Sequence, residues 1–175
     1  MDNEEKNSKN LNSIKTILVV LVLVILVKLF VIDFTLVDGK SMYPTLNHND
    51  RLLVNKLSFF KNDLEYGDII IFESPIEENK NYIKRVIGKE GDSIEIKDNK
   101  IYVNDKIVKE DYTSTNGYTK YSDISQWKIE SGEIFVLGDN RPESNDSRTF
   151  GPISRDSIKG IAFFRFYPFN NIGGI

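Results

Sequence analysis

Beyond residue 33 the chain is a succession of short β-forming runs cut by turn residues, and this patterning rules out most folds. Stretches 34–37, 51–55, 68–72, 82–87, 93–96, 100–103, 107–108, 133–137 and 159–167 are mostly rich in Val, Ile, Phe and Tyr. Gly, Asp, Asn or Pro bound many of them, which is the signature of strands. Asp98-Asn99 and Asn104-Asp105 separate successive short runs and predict hairpin turns. No helical stripe of useful length interrupts the pattern, although Ser154 with Asp156 can cap a short helix over 154–159. Residues 110–130 are polar with scattered aromatics, including Trp127, and predict an insertion or flap. The expected fold class is mainly β, a mixed β-sheet or barrel-like domain.

The exception is Ile17 to Ile32. Ile17–Val27 is unbroken Leu, Val and Ile, Lys28 interrupts, and Leu29 to Ile32 resumes. A spanning helix takes about 20 residues, so this run is on the short side, with Lys28 near one end where it can snorkel to headgroups. A cleaved leader needs small residues after the run, but Asp33-Phe34-Thr35-Leu36-Val37 stands there and the chain's only alanine is Ala162. A buried core helix would be apolar on one stripe, whereas this run is apolar all round. The reading is a single N-terminal transmembrane helix over 16–33, preceded by a disordered cytoplasmic tail, 1–15, and followed by one folded domain, 34–175. Lys6, Lys9 and Lys15 favour an inside N-terminus, a contrast that Lys40 weakens.

With 175 residues and 40% hydrophobic content, the chain can bury a core even with the anchor set aside. A net charge of -3 argues against nucleic-acid binding. The absence of cysteine removes disulfides and a thiolate nucleophile. His48, the only histidine, lies in a polar Asn47-His48-Asn49-Asp50 stretch and reads as a loop residue. A Ser-His-Asp triad and a zinc site are therefore disfavoured, and the base must come from Lys, Asp, Glu or Tyr.

Ser41 follows Asp38-Gly39-Lys40 and precedes Met42-Tyr43-Pro44. Gly39 permits an unusual backbone angle, and Pro44 restricts the residue before it. Such a turn can expose a hydroxyl, or Ser41 can be a plain turn residue. Lys84 sits in Tyr82-Ile83-Lys84-Arg85-Val86-Ile87-Gly88, where strand alternation puts 82, 84 and 86 on one face. A lysine in apolar surroundings has a lowered pKa and can take a proton from a hydroxyl; on a solvated edge it is only a surface charge. In Gly138-Asp139-Asn140-Arg141-Pro142-Glu143-Ser144-Asn145-Asp146-Ser147-Arg148, Asp146 and Arg148 can form a bidentate pair. Ser144 can bond an amine. The nearby Arg141 and Arg148 disfavour an aspartic dyad, whose two acids must share a proton.

Ser41-Met42-x-Pro44-Thr45-Leu46, Gly67-Asp68-Ile69-Ile70, Lys84-Arg85-Val86-Ile87-Gly88-x-x-Gly91-Asp92 and the Gly138–Arg148 motif stand in this order. Together with the anchor they resemble the motif set of bacterial type I signal peptidases, membrane-bound Ser–Lys proteases, in their Gram-positive type. The resemblance implies Ser41 as nucleophile and Lys84 as general base. It implies Ser144 as the serine orienting the lysine, Asp146 with Arg148 as a loop-supporting pair, and Asp139 as a further supporting acid. It implies that substrate adds as a β-strand between Asp38–Lys40 and Tyr82-Ile83, with Leu36, Val37, Met42, Leu46 and Ile83 as pocket walls for small residues. Gly39 stands where some members carry a Ser or Thr oxyanion donor, and the short stretch between Lys84 and Asp139 is again of the Gram-positive type.

The function so implied is removal of signal peptides from secretory preproteins, after Ala-x-Ala, at a bilayer surface, by a domain outside the cytoplasmic membrane. The implied partners are preproteins and lipid, without nucleic acid. Translocon association is compatible with this and not derivable from the residues. No metal and no cofactor are expected. Phe163-Phe164-Arg165-Phe166-Tyr167-Pro168-Phe169 reads as a core strand and its exit, or as rings at the bilayer interface together with Trp127. Two rivals stay open: a self-cleaving repressor-type Ser–Lys protease, which needs a different N-terminal module, and a membrane-tethered β-domain without chemistry.

Overall fold

The computed structural model describes residues 2–57, 64–120 and 125–175, with side chains from residue 14 onward. A helix, α1 (Asp2–Phe30), leads into β1 (Ile32–Leu36), β2 (Arg51–Asn55), β3 (Ile69–Glu73) and β4 (Asn81–Lys89). Next come β5 (Ser93–Lys97), β6 (Lys100–Val103), β7 (Lys106–Ile107), β8 (Gln126–Lys128) and β9 (Glu133–Leu137). The chain closes with α2 (Ser147–Phe150), β10 (Ile153–Ser154), β11 (Ile158–Tyr167) and β12 (Gly173–Gly174).

The larger sheet has the order β1-β2-β11-β3-β4-β9-β10, with β12 beside β11, and the smaller the order β7-β6-β5-β8. Every pairing among the described residues is antiparallel. The expected mixed or barrel-like sheet is therefore corrected to two open antiparallel sheets, because β1 and β10 remain as separate edges. Asp98, Asn99, Asn104 and Asp105 all have positive φ, the geometry of two-residue type I′ hairpins, as the sequence predicts.

Strand alternation builds three adjoining cores. On β3, Ile69 and Ile71 join Val37, Met42, Leu46, Leu52, Val54 and Ala162, while Ile70 and Phe72 face the opposite core with Val86, Ile134 and Val136. A strand buried on both faces reads as a continuous apolar run, as Ile69-Ile70-Ile71-Phe72 does. On β9, Phe135 and Leu137 turn to the third core with Ile87, Ile94, Ile96, Ile101 and Ile129, which joins the two sheets. β3, β4 and β9 are thus fixed from both sides, and β4 carries Lys84.

Several expectations change. The helix takes in the polar residues expected as a tail and stops at Phe30, so Ile32 and Asp33 belong to β1 rather than to the 16–33 segment. Apolar side chains of α1 from Ile14 to Phe30 are exposed all round, and among the described residues no helix is long and apolar enough to cross a membrane. The 110–130 stretch, of which 121–124 lie outside the described residues, is not a loose flap. Glu110, Thr113, Thr119 and Ile129 are buried, and residues 126–128 form β8. Trp127 packs on Phe135 at 4.8 Å between ring centroids, so it serves the third core. The short helix near 154–159 is a single 3-10 turn, Arg155–Ser157, with Ser154 Oγ accepting from Asp156 N–H.

Candidate active site

The nucleophile turn grows out of edge strand β1. After Leu36 the ladder continues through Val37, whose N–H donates to Asp50 O and whose O accepts from Asn49 N–H. Gly39 takes φ +99°, a left-handed value that favours glycine, and the chain then turns, with Leu46 N–H donating to Met42 O. Met42 and Leu46 drop into the first core and pin the turn, while Ser41 and Tyr43 point outward. Leu46 is wholly buried and lies at a separate hollow with Tyr43 and His48, so it is no wall of the groove described below.

Lys84 reaches this turn from the middle of β4. Its Nζ lies 2.8 Å from Ser41 Oγ and donates to Ile83 O at 3.0 Å. The residue is only 4% exposed, and burial lowers its pKa from 10.5 to about 8 against the raising pull of Asp146 and Asp139. In the neutral amine the lone pair is free to accept the Ser41 hydroxyl proton, while an N–H keeps Ile83 O.

A polar frame holds the pair. Asp146 caps α2 and accepts from Arg148 Nε and Nη2 at 2.8 and 2.9 Å, the bidentate pair the sequence predicts. Asp146 Oδ2 also accepts from Gly138 N–H and from Ser144 Oγ at 2.7 Å. Among the described residues the hydrogen bonds of Lys84 Nζ go to Ser41 and Ile83, not to Ser144. Asp139 accepts two bonds from Arg85, at 2.9 and 2.6 Å, and one from Thr45 Oγ1 at 2.5 Å. It thereby ties the base strand to the nucleophile turn.

Other contributors escape a reading of the sequence. Asn140 donates its N–H to Ser41 O and its Nδ2 to Lys40 O, both at 3.0 Å, and so grips the turn on both sides of the nucleophile's N–H. Ser114 Oγ donates to Asn140 Oδ1 and fixes the amide. Arg141 forms a buried bidentate pair with Glu110 and donates Nε to Gly138 O. A Cβ on Gly138 would come within 2.5 Å of Ser41 O and 2.6 Å of Ser144 Cβ, so only glycine lets the two loops meet. Arg85 and Asn140 lie inside the ordered motifs, and only that position marks them. Ser114 carries no signal of its own.

A groove of about 280 Å³ opens over Ser41 and Lys84, lined by Thr35–Met42 and Asn81–Lys84, with Glu143 and Asn145. Leu36, Val37, Asp38, Gly39, Lys40, Met42, Tyr82 and Ile83 all border it. A larger hollow of about 460 Å³ near Glu110 and Tyr118 holds neither member of the pair. β3 pairs with β4 along Asn81–Arg85, but β9 joins the other edge only from Arg85 onward. Among the described residues the groove-side edge of Asn81–Lys84 is therefore left without a strand partner, as is the outer edge of β1. Such an arrangement suits an extended chain laid between two strand edges.

A hydroxyl against a buried amine, at the end of a groove bordered by two strand edges, is equipment that suits a peptide-cleaving hydrolase. The chain belongs to the signal peptidase family, peptidase S26, whose match spans residues 10–167. It is 41% identical to signal peptidase I T of Bacillus subtilis (strain 168) over 152 residues, 82% of this chain and 78% of that one. Against signal peptidase I of Bacillus licheniformis the identity is 39% over 153 residues, 83% and 82% of the two chains. A crystal structure of a signal peptidase I from Enterococcus faecalis is 33% identical, with a TM-score of 0.49 over 56% of this chain and 95% of that one. The protein is an enzyme of the peptide-hydrolase type.

Proposed function

We propose that the chain is a single-pass membrane serine endopeptidase that removes signal peptides from secretory preproteins, cutting after Ala-x-Ala. The observation that carries this reading is the 2.8 Å approach of Ser41 Oγ to an amine whose pKa burial has lowered to about 8. Neutral Lys84 takes the Ser41 proton as Oγ attacks the scissile carbonyl. The ammonium then gives that proton to the leaving amine, and the acyl group stays on Ser41. Lys84 next takes a proton from water, whose oxygen attacks the ester; the acyl–Oγ bond breaks, the ammonium returns its proton to Ser41 Oγ, and the signal peptide leaves with a new carboxyl end. Ser41 N–H, with no acceptor among the described residues, can donate to the oxyanion. With glycine at 39, no side chain there helps, and a missing oxyanion donor is worth about 3 kcal/mol.

In this reading Asp139, Asp146 and Arg148 support the loops, and Ser144 is the serine that orients the amine. The substrate adds as a strand between 38–40 and Tyr82-Ile83, its small side chains facing Leu36, Val37, Met42 and Ile83. Residues 1–15 are the cytoplasmic tail, the anchor runs from residue 16 to the end of α1 at Phe30, and the chain from β1 onward forms the catalytic domain on the outer face. The all-round exposure of the apolar side chains of α1 supports the anchor. Phe34, Phe163, Tyr167, Phe169 and Ile172 are exposed along β1 and β11 and beyond β11, and Phe169 is 79% exposed, which supports lipid contact beside the anchor.

The test is cleavage of an Ala-x-Ala preprotein in detergent by wild type, Ser41→Ala and Lys84→Ala. The expected result is cutting at the single site by wild type and none by either folded variant. Substantial activity in Lys84→Ala would place the base elsewhere. Inactivity of wild type on several such preproteins would leave the tethered-domain reading as the better one.

A further inference from the structure

The junction between helix and sheet has no linker. α1 ends at Phe30 and β1 begins at Ile32, so only Val31 lies between. Val31 is held on both sides: its N–H donates to Val27 O at 2.8 Å, and its O accepts from Lys56 N–H at 2.9 Å. Lys56 then extends its side chain back to the helix, where Nζ donates to Leu29 O at 2.9 Å. The last carbonyls of a helix lack intrahelical partners and carry partial negative charge, so an ammonium there fills an acceptor and complements the dipole. The Ile32↔Asn55 pair opens the edge ladder directly beside this cap. Backbone and side chain of one residue thus fasten the helix end to the sheet.

From that point the path to the nucleophile is short and mostly paired. Ile32–Leu36 pair with Arg51–Asn55, and Val37 pairs on with Asp50 and Asn49. From residue 32 to residue 41 an extended chain covers at most about 30 Å.

We propose that the Lys56 cap and β1 form a fixed spacer, which sets the height of Ser41 above the membrane end of α1 and so selects which bond of a preprotein is cut. This inference rests on the anchored-peptidase reading. A preprotein held in the same bilayer by its own apolar segment enters the groove alongside residues 36–40 and Asn81–Lys84. Only a bond whose distance from that segment matches the spacer meets Ser41. At about 3.3 Å per extended residue, that height is reached by about nine extended residues or fewer between the apolar segment and the cut. The groove reads side chains, and the spacer reads distance. Lys56 touches no substrate; it is a positioning residue acting through α1 and β1. A soluble peptide, which has no bilayer reference, is blind to it.

The test uses the full chain in vesicles of phosphatidylethanolamine and phosphatidylglycerol. The substrate is a preprotein with three identical Ala-x-Ala sites, four residues apart, after one apolar segment. A short soluble peptide with one site is assayed in parallel in detergent. The variants are Lys56→Met and a Gly-Ser-Gly-Ser insertion between Val31 and Ile32. Wild type is expected to prefer one site, the insertion to erode that preference by about tenfold or more, and Lys56→Met to erode it a few-fold. All three proteins are expected to cut the soluble peptide at rates within about twofold of one another. Equal use of all three sites by wild type, unchanged preference in the insertion variant, or loss of soluble-peptide cleavage in either variant overturns the spacer. Wild type that leaves the soluble peptide uncut refutes the peptidase reading instead. Wild type released from vesicles by alkaline washing refutes the anchor, and either result takes the spacer with it.

Discussion

Replacing Lys84 by methionine should abolish activity and at the same time stabilise the protein at neutral pH. Lys84 is 4% exposed, and burial lowers its pKa from 10.5 to about 8. Between those values the unfolded chain holds more protons than the folded one, so wild-type stability rises with pH across that window. Below about pH 8 the folded protein carries the full penalty of a buried ammonium, and above 10.5 it carries none. The interval from 10.5 to about 8 corresponds to about 3 kcal/mol. Methionine has similar length and no charge, so Lys84→Met removes the penalty while forfeiting contacts with Ser41 Oγ and Ile83 O of about 1 kcal/mol each. The advantage of the variant over wild type should therefore shrink by about 3 kcal/mol from pH 7 to pH 11, whatever its absolute offset. Urea unfolding followed by the fluorescence of Trp127, packed on Phe135, reads this directly. A stability difference that does not change with pH would refute a lowered lysine pKa and, with it, a neutral amine as base.

Gly138→Ala places a methyl 2.5 Å from Ser41 O, and the forced separation of the two loops should lower the acylation rate by about a hundredfold in single-turnover kinetics. Arg141→Met strands the buried Glu110 carboxylate and should lower stability by about 3–5 kcal/mol in denaturant titration, most of it regained when Glu110→Leu is added. Asn140→Ala frees Lys40 O and should reduce kcat/KM by about tenfold, with the midpoint of the pH–rate profile unmoved.

The local rules carried far into this fold. β2 fell on 51–55 as read, and both hairpins closed on Asp98-Asn99 and Asn104-Asp105, because turn chemistry and strand periodicity act over a few residues. Ser41 and Lys84 were legible as a pair only through four ordered motifs, since nothing local marks a serine and a lysine 43 positions apart as neighbours. Sheet closure was misread because it depends on whether the edges β1 and β10 find each other, which no single strand encodes. Leu46 was expected at the groove through the resemblance, but its bond back to Met42 turns it into the first core. The 110–130 stretch read as an insertion or flap because the buried partner of Glu110, Arg141, lies 31 residues away, and a polar composition conceals a paired charge. The partner of Arg85 was hidden likewise, since Asp139 lies 54 positions away.

The most direct measurement is the intact mass of the protein after exposure to a substrate-like acylating inhibitor, repeated across pH and followed by peptide mapping. A single covalent adduct on Ser41 is expected, forming at a rate that rises through a midpoint near pH 8 and levels off above it, with none in Lys84→Met. An adduct on another residue, or one that forms on Ser41 equally fast without Lys84, would contradict a serine nucleophile driven by a buried lysine.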